Sequence, residues 1–225
     1  MINHELKCVF IHIPRTAGSS VSTALSQRIY EGQRFQYASR RIGESKKIHF
    51  SVSQSHKLLG ESKWNDYFKF SFVRNPWDRL VSQYMWRCSK KEIDVKNRSF
   101  KEWVVWRWNN WLSWLEKPRK VIRGNPVLGH KDKAVVLSKA FDEIYDEENN
   151  KIQVDFVGRF ENLRADFNII CEKLNIDKNI IMPHKHKTLR ERKHYTEFYD
   201  DETRKIVEKF YMNDIKILGY TFGEN

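Results

Sequence analysis

Two short segments of the sequence combine cations and hydroxyl groups in a way that could bind an anion. The first is a loop whose members are Pro14, Arg15, Thr16, Ala17, Gly18, Ser19 and Ser20. The second carries Arg74 at the end of an apolar run, then Arg79 and Ser82. Unpaired backbone N–H groups and the helix dipole attract anions to helix N-termini. Both segments therefore indicate phosphate-type chemistry, provided that each opens a helix.

The surrounding pattern predicts that helical context. Apolar, β-rich runs at 7–13, 67–73 and 154–160 are typical of strands buried in a parallel sheet. Apolar residues at helical spacing follow each run, and after the second run Asn75 and Pro76 are suited to the cap and first position of a helix. Alternating strands and helices predict an α/β fold, in which ligands bind at the carboxyl ends of the strands.

No repeat or Gly/Ser-rich linker marks a domain boundary, so we expect one domain over 1–225. The last helix is predicted over 201–214, with Asp200 or Asp201 as its cap.

The two anion-type segments, IHIPRTAGSS and FSFVRNPWDRLVSQY, resemble the cofactor signatures of sulfotransferases that use 3′-phosphoadenosine-5′-phosphosulfate. The carbohydrate-type family, family 2 with its Golgi-type members, is the most similar. The resemblance continues through VDFVGRFENLRADF to the end of the chain. It implies a P-loop NTPase-like parallel β-sheet flanked by helices, with the first loop binding the 5′-phosphosulfate and with Arg74 and Ser82 binding the 3′-phosphate. Arg79 is a third candidate donor.

The first loop departs from the family at one position, because Arg15 stands where relatives usually have Lys. Arginine keeps the charge and adds a planar fork of donors. The resemblance implies that Arg15 stabilises the bridging oxygen of the leaving group.

Transfer to an alcohol also needs a base, and a neutral imidazole suits that role. Family resemblance places the base between the two cofactor motifs, which leaves His49 and His56. We favour His49, because it opens a short β-rich run similar to the segment where relatives carry their base. His12 lies inside the first predicted strand and is expected to be a packed histidine.

A basic segment, His184 to His194, is open to several interpretations: a solvated loop, a metal-binding tract or a nucleic-acid patch. Relatives often close the cofactor site with a basic, hydroxyl-bearing segment near this point, which makes Lys187 and Thr188 candidate cofactor contacts. Arg159 and Glu161 in GRFENL are comparable candidates.

A tryptophan stripe is predicted on one side of a helix by the spacing of Trp103, Trp106, Trp111 and Trp114. Core packing is one explanation for this stripe. A platform on which a sugar ring or an aromatic acceptor stacks is the other.

Composition limits the alternatives. Lys and Arg number 41 against 29 Asp and Glu, a formal charge of +12, so an anionic partner or substrate is expected. The cysteines, Cys8, Cys88 and Cys171, form no CxxC pair, which fits a reducing compartment and predicts neither a disulfide framework nor a zinc site. No apolar stretch approaches the length of a membrane span, and we expect a cytoplasmic protein.

The sequence thus predicts a metal-independent sulfotransferase whose acceptor is a hydroxyl compound, expected to be a glycan. A P-loop kinase is the first alternative, although the loop lacks the Lys of GxxxxGK[ST] and the second strand ends in Arg74 rather than an Asp for Mg²⁺. An RNA-binding module is the second alternative, based on the charge and the aromatic content. It gives no reason for the spacing of Arg74 and Ser82, and no stable nucleic-acid partner is expected.

Overall fold

The computed structural model describes residues 1–26, 50–116, 139–146, 151–183 and 193–224, with side chains omitted at 113–116. In chain order the strands are β1 (Ile2–Asn3), β2 (Cys8–Ile11), β3 (Phe68–Val73), β4 (Tyr145–Asp146), β5 (Lys151–Ile152) and β6 (Phe156–Arg159). The helices are α1 (Gly18–Ser26), α2 (Val52–Leu59), α3 (Glu61–Asp66), α4 (Pro76–Ser89), α5 (Phe100–Glu116), α6 (Ala140–Ile144), α7 (Leu163–Lys173), α8 (Asp201–Phe210) and α9 (Met212–Leu218). Short 3₁₀ turns occupy Phe160–Asn162 and Tyr195–Phe198.

The chain divides into two compact units. The first comprises Met1–Asn75 and Lys139–Lys187 together with Asn225, and the second comprises Pro76–Ser138 and Thr188–Glu224. The division does not test whether 1–225 is one domain, which stays a prediction.

The first unit is built on a sheet of strand order β1-β2-β3-β6. β2 pairs in parallel with β3, and β3 pairs in parallel with β6. The mixed α/β class and the parallel pairing of the predicted strands are therefore confirmed. Because the carboxyl ends of these three strands meet at one edge, the turns that follow them lie side by side.

Apolar side chains from the sheet and from two helices form the core of this unit. Phe10, Phe70 and Phe72 of the sheet are fully buried with Val21 and Leu25 of α1 and with Phe167, Ile170 and Cys171 of α7. The intervening residues of β2 and β3, including Val9, Ile11 and Ser71, are buried as well. Both faces are buried along Cys8–Ile11 and from Phe70 to Val73, which explains why these sequences read as nearly continuous apolar runs.

The second unit contains α4, α5, α8 and α9 among its described elements. α4 begins at Pro76, as predicted, and Asp200 caps α8 by accepting a hydrogen bond from the Thr203 N–H at 2.9 Å. The predicted helix over 201–214 is wrong in one respect: it is two helices, since α8 ends at Phe210 and α9 begins at Met212.

A buried ionic cluster lies in the second unit around Asp94. The Asp94 carboxylate accepts hydrogen bonds from Arg87 Nη1 at 2.8 Å and from Trp103 Nε1 at 3.0 Å. Arg107 Nη1 lies 3.5 Å from the same carboxylate and is buried with it. Burial lowers the pKa of Arg107 to about 10. One carboxylate thus joins α4, α5 and the turn between them.

Within the described ranges, every helix is too short or too polar to cross a membrane.

Candidate functional site

The loop between β2 and α1 has an unusual backbone. Arg15 and Ala17 have φ angles of 69° and 65°, in the left-handed region that residues with a Cβ seldom adopt. Such angles persist only where the surrounding structure enforces them, and they are concentrated at functional sites. Here the buried Thr16 contributes, because its hydroxyl donates to the Ile13 carbonyl at 2.9 Å.

α1 starts directly after this loop. The N–H groups of Ser20 and Val21 donate to the Ala17 carbonyl at 2.8 and 3.1 Å and so begin the helix. The nine residues of α1 include no acidic residue in the first turn. Its N-terminus therefore keeps the partial positive charge of the helix dipole, which favours an anion beside residues 14–20.

Gly18 is required at the first position of α1 by its close approach to His12. A Cβ placed on Gly18 would lie 1.9 Å from atoms of the His12 imidazole. The His12 ring also stacks on Phe10, with 5.6 Å between ring centroids. His12 is thus a packed side chain at the base of the loop, as expected from the sequence.

Arg74, which follows β3, reaches the same loop. Its Nη1 donates to the Arg15 carbonyl at 3.1 Å, and its side chain is largely buried. The guanidinium also lies 3.8 Å from the centroid of the Phe160 ring. The first unit therefore brings together Arg74 and the loop that contains Arg15.

The turn after β6 completes the arrangement on the far side of Arg74. The Asn75 N–H donates to Glu161 Oε1 at 2.7 Å, and the Arg159 N–H donates to Asp166 Oδ2 at 2.6 Å. Arg159 and Glu161 are candidates predicted from the sequence, whereas Phe160 is not. The signal present in the sequence is an aromatic residue at the end of the predicted strand at 154–160.

The remaining candidates of the second anion-type segment belong to the second unit. Ser82 is buried on α4, in the second turn of that helix. Arg79 is buried too, with its Nη2 3.9 Å from Asp214 Oδ2 and its guanidinium 5.1 Å from the Tyr211 ring centroid. These contacts give Arg79 a place in the interior of its own unit, and its role as a donor to a ligand stays a prediction.

Of the two candidate bases, the structure describes His56. Its Nε2 lies 2.8 Å from Glu61 Oε2, and its ring stacks on Trp64 with 4.9 Å between centroids. The hydrogen bond to His56 lowers the pKa of the exposed Glu61 carboxyl. An imidazole oriented by a carboxylate is a common arrangement for a general base. His49 lies outside the described residues, as do the candidate cofactor contacts Lys187 and Thr188.

The predicted tryptophan stripe lies on α5 in the second unit. Trp103 is fully buried and hydrogen-bonded to Asp94, which makes it a core residue. Trp106 and Trp111 are half-buried, and the Trp111 ring lies 5.0 Å from that of Phe210. The side chain of Trp114 lies outside the described residues. Packing accounts for Trp103, and the stacking-platform interpretation stays open for the others.

Among the residues that the structure describes, His, Cys, Asp and Glu form no group of three suited to hold a metal ion. The candidate site is instead made of backbone N–H groups, hydroxyls and guanidinium groups, which are donors to an anion.

Comparison with known proteins identifies the family of this chain. Among curated proteins, an uncharacterized protein of Archaeoglobus fulgidus is 27% identical over 123 residues, which are 54% of this chain and 79% of that protein. No solved structure matches the chain significantly. The model of the Sulfotransferase family matches residues 1–221, so the chain belongs to the sulfotransferase family.

Proposed function

We propose that this chain transfers a sulfuryl group from 3′-phosphoadenosine-5′-phosphosulfate to a hydroxyl group of a carbohydrate. Membership of the sulfotransferase family supports the transfer of sulfate in general. The observation that carries the choice of donor is the hydrogen bond of Arg74 to the Arg15 carbonyl. This contact brings a guanidinium to a positively polarised loop, which suits a ligand with more than one anionic group.

In this proposal the loop 14–20 binds the 5′-phosphosulfate, and its strand–loop–helix setting corresponds to a P-loop-like sheet. The hydroxyls of Ser19 and Ser20 and the backbone N–H groups of residues 16–19 are the proposed donors. Thr16 contributes only its N–H, because its hydroxyl already donates to the Ile13 carbonyl. Arg74 and Ser82 bind the 3′-phosphate, with Arg79 as a further candidate. Lys187 and Thr188 contribute from the basic segment that follows.

The donor supplies an activated sulfuryl group, and the chain's own residues prepare the acceptor and stabilise charge. His49 removes the proton from the acceptor hydroxyl as it attacks, with His56 as the second candidate. Arg15 stabilises the negative charge that develops on the leaving phosphate oxygen. This division of roles needs no metal ion, because the charges to be neutralised face guanidinium groups and backbone N–H groups.

Positive charge supports an anionic or polyhydroxyl acceptor such as an acidic glycan. The formal charge of +12 exceeds what one nucleotide needs, and it would attract an acidic polysaccharide to the surface. The half-buried tryptophans Trp106 and Trp111 are candidates to stack against sugar rings.

The experiment is a transfer assay with labelled donor, a panel of glycans and EDTA in the buffer. We expect labelled sulfate on at least one glycan with the unchanged protein, and a loss of turnover by a factor of about 100 or more in His49→Ala. His4→Ala serves as the control, because the exposed His4 is bonded to Tyr67 at 2.6 Å and is not a candidate base.

Two results would contradict parts of the proposal. Full turnover in His49→Ala with lost turnover in His56→Ala moves the base to His56. If the donor is bound or hydrolysed but no glycan receives sulfate, the proposal of a carbohydrate acceptor is wrong.

A further inference from the structure

The turns after β3 and β6 contact each other residue by residue. β3 and β6 are paired in parallel up to Val73 opposite Arg159. Beyond that pair, Arg74 stacks on Phe160 and the Asn75 N–H bonds to Glu161. The register of the sheet therefore continues into the turns through side chains, although the strands have ended.

The turn after β6 is itself held firmly. The Asp166 carboxylate of α7 accepts a hydrogen bond from the Arg159 N–H at 2.6 Å. One residue earlier, a Cβ on Gly158 would lie 2.5 Å from the Phe72 ring, so glycine makes room for that ring to pack over β6. Phe160 is thus attached to a rigid strand end and offers Arg74 a ring whose position is set by the sheet.

Stacking restricts Arg74 in a specific way. An arginine side chain has several rotatable bonds, and ordering it opposes binding by lost rotamer entropy. The Phe160 ring packs against the face of the Arg74 guanidinium. The N–H groups of the guanidinium lie in its plane and donate edgewise, as Nη1 does to the Arg15 carbonyl. A guanidinium ordered before the ligand arrives binds it more tightly than a mobile one.

We infer that Phe160 is a positioning residue that orders the Arg74 guanidinium for binding the anionic group farthest from the transferred sulfate. The inference rests on the proposed function, because it takes the 3′-phosphate of the donor as the group that Arg74 binds. Glu161 assists by holding the backbone next to Arg74.

The experiment compares three variants in calorimetric titrations with adenosine 3′,5′-bisphosphate and adenosine 5′-phosphate. Phe160→Leu keeps an apolar side chain and removes the aromatic face, and Phe160→Tyr restores that face. Phe68→Leu is the matched control, because Phe68 is a half-buried aromatic at the start of β3 that stacks on Phe70. It lies at the opposite end of the strand from Arg74.

We expect Phe160→Leu to weaken binding of the bisphosphate by about fivefold or more and to weaken binding of the monophosphate much less. Only the bisphosphate has a phosphate bound by Arg74, whereas the monophosphate depends on Arg74 only through the loop that Arg74 supports. Phe160→Tyr should bind like the unchanged protein, and Phe68→Leu should keep the ratio of the two affinities even if its melting temperature falls.

The positioning role is overturned if Phe160→Leu weakens the binding of both ligands equally or weakens neither. In either case Phe160 has only a packing role. If the unchanged protein shows no preference for the bisphosphate, the proposed donor is wrong and the inference is lost with it.

Discussion

The guanidinium of Arg74 donates through Nη1 to the backbone carbonyl of Arg15 at 3.1 Å. This bond joins the turns after two neighbouring parallel strands, and it uses a backbone group of the loop with left-handed φ angles at Arg15 and Ala17. Arg74 therefore has two tasks in our account, since it stabilises the loop and binds the ligand's distal anion.

Arg74→Lys should separate charge from geometry. Lysine keeps the positive charge but lacks the planar fork and the stacking surface, so we expect affinity for adenosine 3′,5′-bisphosphate to fall by about 10-fold or more. Calorimetry measures the effect. Arg98→Lys is the matched control, because Arg98 also donates to a carbonyl, that of Asp94 at 2.9 Å, and lies 4.7 Å from the Trp106 ring centroid. Equal losses in both variants would contradict a specific role of Arg74.

Gly18→Ala should destabilise the first unit. The added methyl would overlap the His12 ring, and overpacking of this kind typically costs about 1–3 kcal/mol. Denaturant unfolding measures the change. In the double variant His12→Ala/Gly18→Ala the overlap is gone, so part of the lost stability should return. If the double variant loses as much unfolding free energy as the two single variants together, or more, this clash is not the cause.

Asp94→Asn should strongly destabilise the second unit. It removes the negative charge that compensates the buried Arg87 and Arg107, and breaking a buried ion pair typically costs about 3–5 kcal/mol. Asp66→Asn is the control, because the Asp66 pair with Lys7 is exposed and screened by water, so its loss should cost much less stability. Similar unfolding free energies for the two variants would show that the Asp94 cluster is not stabilising.

The stability of the first unit should fall at alkaline pH because of Cys8. Burial raises the pKa of the Cys8 thiol to about 12, above its value in the unfolded chain. The stability that the protonated thiol contributes is therefore complete below about pH 9 and is lost as the pH rises towards 12. The loss amounts to roughly 2 kcal/mol at about pH 10.5.

Urea unfolding of the unchanged protein and of Cys8→Ala at both ends of this range measures that loss. The stability difference between them should shrink as the pH rises, since the variant has no thiol to ionise. A difference that is constant with pH would contradict the assignment.

Much of the first unit could be predicted from the sequence, because β2 and most of β3 are buried on both faces and therefore read as apolar runs. The predicted runs at 7–13 and 154–160 are longer than β2 and β6, since the apolar pattern extends to Ile13 after β2 and includes Val154 before β6 and Phe160 after it. β1 was not predicted, because two residues are too few to show a pattern. The break at Tyr211 was missed as well, because the apolar spacing continues across it.

The candidate site was partly accessible from the sequence. The loop 14–20 and Arg74 were identified from residue types placed after strands. The stacking partner Phe160 was not, because pairing between turns depends on strand order, which local sequence does not encode. Asp94 was missed for a related reason: it lies in the polar segment KKEIDVKNR, which resembles a solvated loop until Arg87 and Arg107 converge on it.

The central claim is that the chain binds a doubly phosphorylated adenosine rather than a triphosphate. Calorimetric titration of the unchanged protein with adenosine 3′,5′-bisphosphate, adenosine 5′-phosphate and ATP, each with EDTA and with Mg²⁺, tests it most directly. We predict that the bisphosphate binds at least about 10-fold more tightly than the monophosphate, with no dependence on Mg²⁺. Magnesium-dependent binding of ATP that exceeds binding of the bisphosphate would contradict the account.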